Sequence, residues 1–292
     1  MMSGIQKAVI PAAGFGTRFL PATKSQPKEM LPIVDKPTIQ YVVEEAVEAG
    51  ITDILMIIGK GKRAIEEHFD RNMELEYQLQ EKGQLSMLEK IRSITNLADI
   101  HFVWQRELHG LGDAIRYAQH HVNDEPFAVL LGDTLIESRH GSVTRQLIRV
   151  FNQYKSSVVA LEEVEPELVS RYGIIGGSEI EENVFRVSNF IEKPNRDESP
   201  SNLAIASRYI FTPEIFHYLK LVQPGKNNEI QLTDAMHMML GDHDIYGLKF
   251  DGIRYDIGNK LDFLKTNVIY GSKRGDLGQV FLAWLKQFVD NH

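Results

Sequence analysis

Short, mostly apolar runs recur along the first half of the chain, and polar or amphipathic segments separate them. Each run is too short for a buried helix, and several are rich in β-branched residues, which is typical of strands buried on both faces. After the first run, the apolar side chains of residues 38–49 recur at helical spacing until Gly50, which predicts an amphipathic helix. The strands predicted in this half cover residues 8–10, 54–58, 100–104 and 127–133.

Strands that alternate with helices through short connections predict right-handed β-α-β units and a parallel sheet. The charged residues 62–95 predict two or three helices, whereas residues 164–210 change to short strands with glycine turns. The expected fold class is therefore α/β: a Rossmann-like, mostly parallel (mixed) sheet flanked by helices, with a smaller antiparallel insertion. Later helices are predicted over residues 142–155, 230–240, 261–271 and 277–289.

A loop of small residues, Pro11-Ala12-Ala13-Gly14-Phe15-Gly16-Thr17-Arg18, follows the first strand. Consecutive N–H groups in such a loop form an anion-binding concavity, and glycine adopts the required backbone angles at little cost. Arg18 adds a planar fork of donors suited to phosphate oxygens, and Lys28 adds a second cation. The segment therefore predicts a triphosphate site.

Other phosphate-binding loops fit this segment less well. A dinucleotide fingerprint needs a third glycine where Phe19 stands, and a P-loop needs Gly-Lys-Ser/Thr where the chain has Gly16-Thr17-Arg18. The remaining alternative is a glycine-rich turn beside surface cations. The accompanying prolines and lysines favour the triphosphate interpretation over that alternative.

The 292-residue chain carries a net charge of −8 and no cysteine. An acidic chain is a poor general binder of nucleic acid, which needs an excess of cations over phosphate. The lack of cysteine excludes disulfides, thiolate catalysis and cysteine-based metal sites. The N-terminal residues run directly into a strand and no apolar run approaches membrane-spanning length, so we expect a cytoplasmic protein without a membrane partner.

An aspartate, Asp133, ends the strand predicted over residues 127–133. If that strand is parallel to the first one, its carboxylate lies at the same edge of the sheet as the glycine loop. Mg²⁺ typically binds one or two carboxylates and completes its shell with phosphate oxygens and water. Asp133 therefore predicts a Mg²⁺ site beside the triphosphate.

Three further groups have more than one interpretation. The amide of Gln105 could read a planar base that approaches the backbone at Gly110, although spacing alone favours a plain turn before a helix. Glu192 could accept hydrogen bonds from sugar hydroxyls and Lys193 could meet a phosphate, although an isolated pair of this kind is usually a surface salt bridge. Asp256 precedes a glycine turn and, taken alone, is most typical of a helix N-cap.

The string AAGFGTR, followed by PKEMLPIVDKPTIQYVVEEA, resembles the bacterial UTP–glucose-1-phosphate uridylyltransferases (UDP-glucose pyrophosphorylases). More broadly it resembles the sugar-nucleotide pyrophosphorylases, which share G-x-G-T-R and a P-K lysine. The similarity continues to DIGNK near residue 258 and so covers nearly the whole chain. Glu29 after Lys28 favours the uridylyl branch, because the thymidylyl branch typically carries glutamine there.

The resemblance implies a nucleotide-diphospho-sugar transferase fold and the formation of UDP-glucose and pyrophosphate from UTP and glucose 1-phosphate, with Mg²⁺ as cofactor. It implies catalytic roles for Arg18, Lys28 and Lys193, and metal binding by Asp133 and Asp256. The implied sugar-binding residues are Gly173, Glu192 and Lys193. The implied nucleotide-binding residues are Ala12, Ala13, Gly14, Gly16, Thr17, Glu29, Gln105 and Gly110.

We expect one nucleotidyltransferase domain over residues 1–292, with a nucleotide-binding half (about 1–160), a sugar-binding insertion (about 164–210) and a C-terminal helical region (about 259–292). A homo-oligomer, either a dimer or a tetramer, is also expected. The alternatives are a thymidylyltransferase, another sugar-1-phosphate specificity, or a catalytically silent regulatory homologue. The chain departs from the family pattern at Asp113, Thr134 and Asp262.

Overall fold

The computed structural model describes residues 4–225 and 228–291. The segment Gln223-Pro224-Gly225-Lys226-Asn227-Asn228 predicts a turn, and Lys226 and Asn227 within it lie outside the described residues. The strands are β1 (Lys7–Ala12), β2 (Pro32–Ile33), β3 (Lys36–Pro37), β4 (Asp53–Ile58), β5 (Asp99–Trp104), β6 (Phe127–Leu130), β7 (Thr134–Ser138), β8 (Ser157–Glu163), β9 (Gly173–Glu181), β10 (Val184–Glu192), β11 (Leu203–Phe211), β12 (Ile245–Lys249) and β13 (Gly252–Asp256). The α-helices are α1 (Thr38–Glu48), α2 (Arg63–Phe69), α3 (Met73–Glu81), α4 (Leu85–Thr95), α5 (Leu111–Arg116), α6 (Gln119–Val122), α7 (Val143–Tyr154), α8 (Ile215–Leu221), α9 (Leu232–Met239), α10 (Lys260–Lys273) and α11 (Gly278–Asn291).

Nine strands form one mixed sheet in the order β5-β4-β1-β6-β11-β8-β12-β10-β9. Strands β5, β4, β1 and β6 are parallel to one another, β11 and β10 run in the opposite direction, and the remaining three return to the first direction. Seven of the nine strands therefore share one direction, as the predicted mostly parallel sheet requires. Apolar side chains pack on both faces of this sheet, which explains why its central strands read as continuous apolar runs.

The shared direction places the carboxyl ends of β1, β4, β5 and β6 at one edge of the sheet. The loop after β1 and the polar residues after β5 and β6 consequently meet at this edge, where ligands bind in open α/β sheets. The helix predicted over residues 38–49 is confirmed as α1, and Gly50 follows it with φ at 92°.

The predicted antiparallel insertion is a hairpin of β9 and β10, and it extends the main sheet rather than forming a sheet of its own. Ala204 of β11 also pairs with Ile174 of β9, which links β11, β8, β12, β10 and β9 in a closed ring of pairings. Ala204 lies opposite Glu162 near the carboxyl end of β8. This closure brings the start of β9 and the end of β10 toward the edge that carries the glycine loop.

Several predicted boundaries were wrong. The strand predicted over 127–133 ends at Leu130, so Asp133 lies in the turn before β7 and not at a strand end. The strands predicted to be short within residues 164–210 include β9 and β10, which are nine residues long each. Strands β7, β12 and β13 were not predicted. Within the part of the chain that the structure describes, no helix is long and apolar enough to cross a membrane.

Candidate active site

The loop after β1 folds back on itself through three short 3-10 turns, at Thr17–Phe19, Ala22–Lys24 and Lys28–Met30. Gly16 has φ at 65°, and a Cβ atom there would lie 2.9 Å from Cβ of Lys28. Any side chain at this position would be strained and would clash. The carbonyl oxygen of Gly16 accepts a hydrogen bond from Thr23 Oγ1 at 2.8 Å. The glycine therefore lets Lys28 pack directly against the loop.

Arg18, Asp133 and Asp256 converge beside Gly258. A Cβ atom on Gly258 would lie 3.0 Å from Asp256 Oδ1, 3.5 Å from Asp133 Oδ2 and 3.7 Å from Arg18 Nη1. Lys28 reaches the same place, since its Nζ lies 2.5 Å from Asp133 Oδ2. Four of the predicted catalytic and metal-binding residues are thus brought together from widely separated parts of the sequence.

The two carboxylates are neighbours because β13 pairs with β7, with Asp256 opposite Thr134. The N–H of Ile257 donates to the carbonyl oxygen of Asp133 at 3.0 Å. The N–H of Gly258 donates to Asp256 Oδ1 at 2.9 Å and fixes the orientation of that carboxylate. This two-stranded pairing explains how two aspartates far apart in sequence form one site.

The paired carboxylates suit a divalent cation. Asp133 Oδ2 and Asp256 Oδ1 face the same small volume beside Gly258. Among residues 4–225 and 228–291, no group of three or more His, Cys, Asp or Glu side chains is placed to hold a metal ion. Two carboxylates that leave the remaining positions to phosphate oxygens and water are the typical protein contribution to an Mg²⁺ site, so the donor set fits such an ion.

Lys28 and Asp133 stabilise each other's charged forms. Burial raises the pKa of the Asp133 carboxyl, but the charge and the hydrogen bond of Lys28 outweigh burial, so this pKa lies below its usual range. Burial lowers the pKa of Lys28, but the negative charges of Asp133 and Glu29 raise this pKa by a larger amount, so the net shift is upward. Both groups are therefore charged at neutral pH.

The predicted base-reading residues lie between β5 and α5. The backbone N–H of Gln105 donates to the carbonyl oxygen of Ile58, which holds Gln105 beside the end of β4. Gln105 is buried, and its Nε2 donates to Asp113 Oδ2 at 2.9 Å. Gly110 precedes α5 with φ at 94°, and a Cβ atom there would lie 2.8 Å from Cβ of Glu229. A side chain at this position would therefore be strained and would clash with Glu229.

The predicted sugar-binding residues lie where β9 and β10 meet. Gly173 is paired with Glu192, and Lys193 Nζ lies 2.9 Å from Glu192 Oε1. Thr233, on α9, donates from Oγ1 to Glu192 Oε2 at 2.7 Å, and its hydroxyl would lie 3.2 Å from a Cβ atom on Gly173. Thr233 is a member of this cluster that the sequence patterns did not identify as a site residue.

One cavity joins the two halves of the site. It has a volume of about 560 Å³, and Arg18, Lys193 and Asp256 all line it. Tyr172 lines the same cavity and lies against the guanidinium group of Arg254, which pairs with Glu162. The residues predicted to hold phosphate, sugar phosphate and metal therefore share one space.

A sequence model of the family described as nucleotidyl transferase matches residues 7–273. The chain belongs to the nucleotidyl transferase family. The match includes the glycine loop, both aspartates and the Glu192–Lys193 pair, so the family signature covers the whole of the site described above.

Within the nucleotidyl transferase family, the chain is similar over nearly its whole length to several uridylyltransferases. The chain is 51% identical over 286 residues to the UTP–glucose-1-phosphate uridylyltransferase of Staphylococcus haemolyticus, covering 98% of this chain and 99% of that protein. A UDP-glucose pyrophosphorylase solved with UDP-glucose is 44% identical, covers 92% of this chain and 100% of its own, and superposes with a TM-score of 0.86. A UTP-bound UGPase from Acinetobacter baumannii is 38% identical, covers 96% and 98%, and gives a TM-score of 0.89. The resemblance predicted from the sequence is confirmed.

Lys62 is a buried cation of this nucleotidyl transferase that the sequence patterns did not single out. Its Nζ lies 2.7 Å from Glu29 Oε2, and both side chains are buried. Burial raises the pKa of Glu29 and lowers that of Lys62, and the ion pair opposes both effects. Because Glu29 directly follows Lys28 and Glu29 Oε1 lies 3.9 Å from Lys28 Nζ, this pair anchors the backbone that carries Lys28.

Arg208, in the middle of β11, is completely buried. Its Nη2 donates to Glu45 Oε2 at 2.8 Å and to the carbonyl oxygen of Thr134 at 2.7 Å. Its Nη1 reaches the carbonyl oxygen of Leu131 at 3.4 Å. Arg208 therefore holds both sides of the turn that carries Asp133. Thr134, one of the departures from the family pattern, acts here through its main-chain oxygen.

Proposed function

We propose that this nucleotidyl transferase is a UTP–glucose-1-phosphate uridylyltransferase, which forms UDP-glucose and pyrophosphate from UTP and glucose 1-phosphate. The observation that carries the proposal is the convergence of Arg18, Lys28, Asp133 and Asp256 beside Gly258. Arg18 and Asp256 also line a cavity that Lys193 lines. The full-length similarity to uridylyltransferases supports the choice of nucleotide and sugar.

The reaction is an in-line displacement without a covalent enzyme intermediate. A phosphate oxygen of glucose 1-phosphate attacks the α-phosphorus of UTP, and the bond from that phosphorus to the bridging oxygen breaks. Pyrophosphate leaves with the bonding electron pair. The attacking group is already an anion at neutral pH, so the protein contributes position and charge stabilisation rather than a general base.

The positive charges of Arg18 and Lys193, which line the cavity, are suited to the phosphate groups of the two substrates. We assign the triphosphate to Arg18, Lys28 and the loop that includes Ala12, Ala13, Gly14, Gly16 and Thr17. We assign the phosphate of glucose 1-phosphate to Lys193, which the Glu192 carboxylate holds at the rim of the cavity. Glu192 and the backbone at Gly173 are then placed to contact sugar hydroxyls.

The divalent ion proposed for the site is Mg²⁺, held by Asp133 and Asp256. When bound, Mg²⁺ neutralises negative charge on the phosphate oxygens. Asp133→Ala should abolish turnover with little loss of fold, because Asp133 lies in a turn and contributes little to the core. Full activity in excess chelator, or in the variant, would remove the metal from the mechanism.

The base is assigned to Gln105 and Gly110, with Glu29 as the uridylyl-branch residue beside Lys28. Because Glu29 favours the uridylyl branch, UTP should be preferred over dTTP by at least about tenfold in kcat/KM, a discrimination within reach of one good polar or steric contact. The carboxylate of Glu29 is buried and is paired with Lys62.

Pyrophosphate release, measured for each nucleoside triphosphate with each of several sugar 1-phosphates, tests the proposal. UTP with glucose 1-phosphate should give the highest kcat/KM. Equal rates with dTTP would favour a thymidylyltransferase or a broad enzyme, and a higher rate with another sugar 1-phosphate would reassign the sugar. No release with any pair would identify a silent homologue, although such homologues tend to lose the loop arginine that is present here as Arg18.

A cytoplasmic location and a homo-oligomer of two or four copies remain predictions. The oligomer is consistent with helix α11, on which Val280, Trp284 and Val289 are exposed.

A further inference from the structure

Gln105 and Asp113 form a buried polar pair at the proposed base site. Nε2 of Gln105 lies 2.9 Å from Oδ2 of Asp113, and the two residues are 5% and 9% exposed. An ionised carboxylate accepts hydrogen bonds and cannot donate them. The amide nitrogen of Gln105, rather than its oxygen, must therefore face Asp113.

We propose that Asp113 fixes the amide of Gln105 in the one orientation that accepts uracil and rejects cytosine. The inference rests on the proposed function, in which Gln105 reads the base. A primary amide has two N–H groups, of which one points away from the amide oxygen and the other lies beside it. If Asp113 takes the first, the oxygen and the second N–H together form a free edge with one acceptor and one donor.

This free edge matches uracil. Uracil presents a donor at N3–H and an acceptor at O4, which pair with the oxygen and the remaining N–H of Gln105. Cytosine presents the reverse pattern, an acceptor at N3 and a donor at its amino group. Gln105 could read cytosine only after a rotation of its amide by half a turn, which would place its oxygen against the Asp113 carboxylate.

The rotated state is disfavoured for two reasons. It breaks a hydrogen bond to a charged acceptor in a buried position, and it brings two oxygens with negative charge into contact. Arg116 Nη1 lies 3.7 Å from Asp113 Oδ1, the carboxylate oxygen that does not accept from Gln105. The guanidinium charge therefore stabilises the negative charge of Asp113. Thymine presents the same N3–H and O4 pattern as uracil, so Asp113 does not discriminate between UTP and dTTP.

Asp113→Asn tests this role, because asparagine keeps the size of the side chain but can donate as well as accept. Paired amides can rotate together, so the variant should satisfy either orientation of Gln105. We expect the ratio of kcat/KM for UTP to that for CTP to fall at least about tenfold, which corresponds to about 1.4 kcal/mol. The ratio for UTP to dTTP should stay within about twofold of the wild-type value.

Arg116→Gln is the matched control, since it removes the second partner of Asp113 without touching Gln105. It should leave the ratio of UTP to CTP unchanged. If Asp113→Asn uses UTP but keeps the wild-type ratio, or loses UTP and CTP activity equally, Asp113 has only a structural role and the inference is wrong. If the wild-type protein transfers no uridylyl group at all, the proposed function itself fails, so the two failures are distinguishable.

Discussion

The ammonium group of Lys28 lies 2.5 Å from Oδ2 of Asp133, so a cation of the glycine loop directly neutralises a proposed metal ligand. The two residues are 105 positions apart in sequence. The contact joins the glycine loop, which is proposed to bind phosphate, to the turn between β6 and β7. A bound cation and Lys28 would compete for the negative charge of Asp133, whereas the triphosphate offers Lys28 a second anionic partner.

Lys28→Met should therefore strengthen metal binding while it weakens catalysis. Removal of a positive charge beside Asp133 removes repulsion of an incoming cation, and we expect the nucleotide-free variant to bind Mn²⁺ at least about threefold more tightly. Its kcat/KM should fall by roughly 100- to 1000-fold, because a charge-assisted phosphate contact is lost. Spectroscopic titration with Mn²⁺ measures the first effect without requiring activity.

Lys60→Met serves as the control, since Lys60 is exposed in the loop after β4. It should change neither quantity. Weaker Mn²⁺ binding by Lys28→Met would contradict the competition between Lys28 and the cation.

Lys193→Ala should separate the two substrates. Lys193 directly follows β10 and lines the same cavity as Arg18, but the proposed division of roles assigns it to the sugar phosphate and not to the triphosphate. We expect kcat/KM for glucose 1-phosphate to fall by roughly 30- to 1000-fold, with calorimetric UTP affinity nearly unaffected. Lys193→Arg should rescue only in part, because a planar fork on a longer stem does not reproduce a point charge. Loss of UTP affinity with an unchanged KM for glucose 1-phosphate would assign Lys193 to the nucleotide.

Arg208→Met should destabilise the fold strongly, because it leaves the Glu45 carboxylate without its buried partner. Removal of one member of a buried ion pair costs about 3–5 kcal/mol in the free energy of unfolding. Chemical denaturation measures this cost. The same substitution at Arg186, whose pair with Asp244 is exposed to solvent, should have little effect. Equal stability of the two variants would show that burial of Arg208 is unimportant.

The part of the site that is proposed to bind the nucleotide has local signals in the sequence. A strand, a glycine loop and nearby cations occur within thirty residues, and the order of the apolar runs predicts the parallel strands β1, β4, β5 and β6. The pairing of β13 with β7 could not be predicted, because it joins strands that are more than a hundred residues apart and each is only five residues long. Without that pairing, Asp256 has the appearance of an ordinary N-cap.

The supporting residues escaped prediction for a different reason. Lys62 stands in a charged segment typical of a solvated surface, and only the fold shows that it is buried against Glu29. Arg208 could have been recognised from the sequence, since it is the one charged residue of β11, whose other residues are apolar or small. A charge in a buried strand requires a partner. The identity of that partner, Glu45 on α1, depends on tertiary packing that no local pattern records.

Acidic pH should weaken the contact between α3 and α4. Hydrogen bonds from Arg71 and Arg92 lower the pKa of Glu76 from 4.5 to about 2. Because the folded value lies below the unfolded one, the contact stabilises the protein above about pH 4.5 and loses its effect as the pH falls toward 2. Glu76→Gln should lower Tm at about pH 7, and the difference from wild type should narrow below about pH 4.5. A difference that stays constant with pH would contradict this account.

The fate of the α-phosphorus of UTP distinguishes uridylyl transfer from hydrolysis of the nucleotide. Wild-type protein is incubated with Mg²⁺, glucose 1-phosphate and UTP labelled at either the α- or the γ-phosphorus, and the products are separated. We expect all transferred α-label to appear in UDP-glucose and the γ-label to leave only as pyrophosphate. Release of the γ-label as inorganic phosphate, or α-label that never reaches a sugar nucleotide, would contradict uridylyl transfer at this site.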